Sequence, residues 1–170
     1  MTTAIGSPGL GTVSVGDHSG DGNTPIIGGP GTIGGTLFVG VGDPAEQAIL
    51  APAAGSNRPT TLTAQQQVVF STGSFYNYSF KPRGRRARAD LLIANGVILG
   101  GTPMINLQGQ VQGTLRIGLV LTLINNTSAD PISGVFTNLS DGAIVTIGGN
   151  NFQADYQGGD GNDLTLTVVQ

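Results

Sequence analysis

The chain has 170 residues, 29 of them glycine, with only 10% charged, a net charge of −3 and no cysteine. That length accommodates one domain with a real core. A disulfide framework and thiol chemistry are excluded, no apolar run reaches the ~18 residues of a membrane helix, and the acidic balance gives no general reason to expect nucleic-acid binding.

Taken in chain order, residues 1–35 are a stretch of Gly, Pro, Ser, Thr and Asp with scattered aliphatics. They lack the basic and apolar regions of a signal peptide, so the expectation is a mature or excised segment with an added initiator Met. Gly28-Gly29-Pro30-Gly31 and Gly34-Gly35 are breakers. This segment is expected to be loosely ordered or strand-donating, with strand-competent pieces at Thr12-Val13-Ser14-Val15 and Ile26-Ile27. The first firm strand is Thr36–Val41.

Asp43-Pro44-Ala45-Glu46 opens the only stretch where a helix is plausible, running to Ala51 and ended by Pro52. An excursion loop is the alternative. From residue 60 short strands follow one another: 60–63, 68–71, 75–80, 89–94, 97–99, 104–107, 115–124, 134–136, 143–147, 151–156 and 164–169. Phe152, Ala154 and Tyr156 share one strand face, as do Leu164, Leu166 and Val168, with polar residues opposite. Strands recur every ~8–12 residues with Gly/Asn corners between them. The spacing fits a β-sandwich or a β-solenoid, and the Gly-Gly and Asn-Gly corners favour the solenoid. The expected domain therefore spans 36–170.

Several segments resemble the autotransporter-associated β-strand repeat. They are Phe75-Tyr76-Asn77-Tyr78-Ser79-Phe80, Ala89-Asp90-Leu91-Leu92, Leu121-Thr122-Leu123-Ile124-Asn125-Asn126, Ile132-Ser133-Gly134-Val135-Phe136, Leu139-Ser140-Asp141-Gly142-Ala143 and Tyr156-Gln157-Gly158-Gly159-Asp160-Gly161-Asn162-Asp163-Leu164. They cover roughly residues 70–169 in order, the last third being the most specific. The resemblance implies a right-handed parallel β-helix in a bacterial exported protein, at the cell surface or extracellular. It implies no activity. The insertion Lys81–Arg88 is more basic than the family pattern.

Three sets of residues invite a functional reading. Asp160, Asn162 and Asp163 overlap a calcium-binding nonapeptide, which normally works in tandem copies because calcium takes six to eight oxygens; here one copy stands alone, and an Asx-capped turn explains the same residues. Lys81, Arg83, Arg85, Arg86 and Arg88 form a basic cluster. It suits an acidic polymer such as lipopolysaccharide or nucleic acid, a dibasic processing site, an acidic partner surface, or simply a solvated loop. Tyr76, Tyr78 and Phe80 flank it at every-second spacing, which marks one strand face and not a base-stacking platform. His18, the only histidine, sits in a polar turn without the rigid surroundings a catalytic base needs.

The expected function is a structural module of an exported bacterial surface or extracellular protein. It would act as stalk or scaffold and self-associate head-to-tail into filaments by adding strands to a neighbour's edge. An adhesin or binder of host or cell-surface glycans is the alternative. A polysaccharide-active enzyme ranks last, because no carboxylate pair stands out. No cofactor is expected beyond the calcium candidate.

Overall fold

A computed structural model of the chain describes residues 11–16, 20, 22–56, 58–83, 86–111 and 113–170, with the side chains of 82, 83 and 86 outside that description. Sixteen strands and no helix make up the described residues, so none could cross a membrane as a helix. The chain is a parallel β-solenoid.

Its rungs follow from the apolar alternation. The first coil is β1 (Thr12–Val15), β2 (Ile26–Gly28) and β3 (Gly31–Ile33). The second is β4 (Thr36–Val39), β5 (Ala48–Ala51) and β6 (Thr61–Ala64). The third holds β7 (Val68–Phe70), β8 (Ser74–Arg83) and β10 (Leu91–Ala94), with β9 (Arg86–Ala89) folded back on β8. The fourth is β11 (Val97–Leu99), β12 (Met104–Gly109) and β13 (Val120–Asn126). The first, second and third strands of each coil stack in parallel on three separate faces. Parallel pairing throughout these coils rules out the β-sandwich, whose sheets are antiparallel.

Stacking turns the period-2 alternation of each strand into columns. Val13, Leu37, Val68 and Val97 form one inward column, and Val15, Val39, Phe70 and Leu99 the next. On the second face Ile27, Leu50, Tyr76 and Ile105 stack. On the third, Leu62, Leu92 and Ile124 stack. The spacings along the first column are 24, 31 and 29 residues. This uneven period, set by corner insertions of different size, is why the sequence carries no strict repeat.

The aromatic side of β8 fills the coil interior. Tyr76, Tyr78 and Phe80 are each 0% exposed, and ring contacts run from Phe70 and Tyr76 to Phe136 and from Phe80 to Phe152. The Tyr76 hydroxyl crosses the core and donates to the Leu123 carbonyl at 2.8 Å. Leu123 lies where the pairing of β13 shifts register between Thr122 and Ile124. Such a bulge disrupts the ladder, and the phenol supplies that carbonyl with a donor.

The two ends differ. After β13 the chain changes to an antiparallel meander of β14 (Ile144–Ile147), β15 (Asn150–Gly158) and β16 (Asp163–Val169), and β16 pairs with the outer edge of β13. Residues 132–139 cover the other two edges at this end. Ser133 exchanges backbone hydrogen bonds with Val97 and Leu99 on β11. The Asn138 side chain replaces a strand on β12: its Oδ1 accepts the Ile105 N–H at 2.9 Å and its Nδ2 donates to the Ile105 carbonyl at 2.7 Å. At the opposite end, no described strand pairs with the outer edges of β1, β2 or β3.

Several expectations change here. The helix after Asp43 does not form. Asp43 Oδ1 instead accepts the Ala45 N–H at 2.9 Å to make a tight turn. Ala48–Ala51 then enters the ladder between β2 and β8, where neighbours on both sides outweigh the local helix-start signal. Residues 134–136 form no strand, because pairing around them is limited to two isolated bridges, Ser133 with Ile98 and Phe136 with Leu139. The strand expected from 115 begins at Val120. Leu115 is instead buried, its N–H donated to Asn150 Oδ1 at 2.7 Å. The Gly-rich start contributes the whole first coil, so the solenoid extends N-terminal of residue 36.

Candidate functional site

The basic cluster lies on a β-hairpin that leaves the solenoid at the corner between its second and third faces. β8 runs past the wall of the coil and β9 returns antiparallel, setting Lys81 opposite Arg88 and Arg83 opposite Arg86. Residues two apart on a strand share a face, and so do residues directly opposite across a pair. Lys81 and Arg88 therefore share one face of the ribbon. Arg85 lies outside the described residues.

Asp90 anchors this hairpin to the coil below. It is 1% exposed, and its two carboxylate oxygens accept the Thr60 N–H and the Ser79 N–H, both at 2.8 Å. Burial pushes the Asp90 carboxyl above the ordinary aspartate value, against the pull of these N–H bonds. One buried side chain thus ties the corner loop of the second coil to the hairpin of the third.

The consequence is a cleft that no single segment encodes. Arg58 and Pro59, on the loop before β6, stand beside Lys81 and Arg88 and line a hollow of about 360 Å³. An adjoining cleft of about 390 Å³ continues along the same corner past Ser79 to Leu107, Gln108 and Gln110 of the fourth coil, again with Arg58 and Lys81 in its wall. Among the described residues, neither lining contains an acidic one. Every Lys and Arg among the described residues except Arg116 belongs to this corner or to its hairpin.

The turn at residues 158–163 joins β15 to β16. Asp163 Oδ1 accepts the Asn126 N–H at 2.9 Å, and Asn162 Nδ2 donates to the Ser128 carbonyl at 2.6 Å. Asp160 is exposed. Burial raises the Asp163 carboxyl, the Asn126 N–H lowers it, and the nearby Asp160 charge raises it further. Both residues thus pin the last hairpin to the end of β13. Asn162 Oδ1 is buried with no partner among the described residues. Among those residues no group of three or more His, Cys, Asp or Glu stands close enough together to hold a metal ion. His18 lies outside the described residues.

Two features escaped the sequence. Arg58 stands 23 residues before Lys81 with no basic neighbour, and only the stacking of consecutive coils brings them together. Asp90 reads as part of a strand, yet it interrupts the run between β9 and β10. An acidic residue inside an otherwise apolar alternation was the available signal. No protein-family model matches the chain, and no curated protein matches it either.

Proposed function

We propose that the chain is a structural module of an exported bacterial surface or extracellular protein, a stalk or scaffold that joins other β-solenoid rungs through its N-terminal end. The observation that carries this reading is the difference between the two ends. Ser133, Asn138 and β16 occupy the edges of the fourth coil, while among the described residues no strand pairs with the outer edges of β1, β2 or β3 on any of the three faces. Open edges of this kind accept further strands. The resemblance of residues 70–169 to the autotransporter-associated repeat supports the exported, bacterial setting.

Between identical copies, the contact joins two N-terminal ends. A shared patch of that kind is isologous and closes at a dimer. A head-to-tail filament would need a second free edge, and the outer side of β14 is the one available at the other end. The test is sedimentation of the wild type beside a double variant, Ile26→Lys and Thr32→Lys. Both positions are exposed on edge strands, where lysine opposes pairing. Association in the wild type is expected to be lost in the variant, with unfolding free energy changed by less than about 0.5 kcal/mol. A wild type that stays monomeric at high concentration, or a variant that associates equally well, overturns this contact.

A further inference from the structure

We infer that the corner cleft formed by Arg58, Lys81 and Arg88 is a binding site for an acidic polysaccharide, one carrying carboxylate or sulfate groups. The site does not depend on the scaffold reading, because it lies along the flank of the stack and not at an end.

Three observations converge on an anionic ligand. The first is that a like-charge pair, Lys81 with Arg88, sits directly opposite across the hairpin. Cross-strand like charges destabilise a ribbon, and a feature that breaks a local rule in this way marks a functional surface. The second is that Arg58 is carried to the same place from the preceding coil by the buried Asp90 carboxylate. Among the described residues no carboxylate forms an ion pair with Arg58 or Arg88. The third is charge distribution. The protein is acidic overall, yet among the described residues every Lys and Arg except Arg116 lies at this corner or its hairpin, where they create a local positive potential against the net charge.

The rest of the lining selects the class of polyanion. Guanidinium groups match carboxylate and sulfate oxygens in forked geometry. Gln108, Gln110 and Ser79 offer amide and hydroxyl partners for sugar hydroxyls, and Pro59 and Leu107 offer apolar surface. Single-stranded nucleic acid would need aromatic rings on which bases stack. Tyr76, Tyr78 and Phe80, the aromatics nearest in sequence, are wholly buried, and neither cleft contains an aromatic side chain.

The experiment measures binding of the full chain to fluorescent polygalacturonate and heparin oligosaccharides, with single-stranded DNA as the competing polyanion, across a salt series. Binding to one or both oligosaccharides is expected, weakening as salt rises. It should fall at least ~10-fold in Arg58→Ala/Arg88→Ala, which is a loss of about 1.4 kcal/mol. Arg116→Ala should bind as the wild type does, and thermal melting should show all variants folded. No binding at low salt, equal binding by the double variant, or DNA bound as tightly as the oligosaccharides would each overturn the proposal.

Discussion

Tyr156 is the side chain on which the closing end of the solenoid turns. Its hydroxyl donates to the Leu139 carbonyl at 2.7 Å and accepts the Phe136 N–H at 2.9 Å. Phe136, which is 0% exposed, is thereby held over the core beside Phe70 and Tyr76. Burial pushes the Tyr156 phenol up to about 12, so it stays protonated and able to donate throughout the physiological range. Tyr156→Phe leaves a buried N–H and a buried carbonyl unpaired and is expected to cost more than about 2 kcal/mol. Tyr76→Phe leaves only the Leu123 carbonyl and should cost about 1–2 kcal/mol. Urea unfolding of the two variants checks the order, and equal losses would contradict it.

Asp90 makes a prediction about pH at the same scale. Its carboxyl titrates higher in the fold than in the unfolded chain, because it is buried. Between the two values the folded state binds more protons, so the contribution to stability is full below the unfolded value of about 3.9 and is lost as pH rises through the folded one. The sign is opposite to that of a salt-bridged aspartate. The stability advantage of wild type over Asp90→Asn should therefore shrink with rising pH, by up to about 1.4 kcal/mol per pH unit inside that window. Denaturant unfolding at a series of pH values from about 3.5 to 7 reads it, and an advantage that grows with pH would be the wrong sign.

Among the elements, the hairpin β15–β16 shows how a familiar-looking turn can serve packing. Gly158-Gly159-Asp160-Gly161-Asn162-Asp163 has the letters of a calcium loop, but Asp163 Oδ1 and Asn162 Nδ2 are bonded to Asn126 and Ser128. Asn126, itself 1% exposed, passes the connection on by accepting the Gly96 N–H at 3.1 Å. The turn thereby fastens the antiparallel meander to the parallel stack, where two kinds of pairing meet. Millimolar calcium is expected to leave the melting temperature unchanged. A rise on adding calcium that chelator reverses would restore the metal reading.

At the scale of the whole molecule, each coil rests on the next through backbone ladders on three faces and inward columns between them. Stability is then built from nearest-neighbour interfaces, and the ends become the decisive places. Residues 132–139 and β16 complete the fourth coil, while no described strand pairs with the outer edges of the first. Any partner that stacks there buries the partly exposed Val13 and Ile27, the first members of their inward columns. The lysine double variant is directed at that surface. The flank, by contrast, carries the charge, so the end and the corner cleft can be altered separately.

What could be read without a structure was the strand-by-strand alternation. Apolar side chains at every second position, with Gly, Asn and Asp at the corners, are a local property with period two, so most strands and the buried face of β8 were legible. The same local information misplaced the segment after Asp43, where a good helix-start signal lost to two neighbouring strands. It also found the basic cluster only as a run of letters. The register between coils depends on contacts 24 to 31 residues apart with no constant spacing, and nothing local specifies them. Stacking alone joined Arg58 to Lys81 and Arg88, buried Asp90 beneath them and covered one end of the solenoid, while no described strand pairs with the edges at the other.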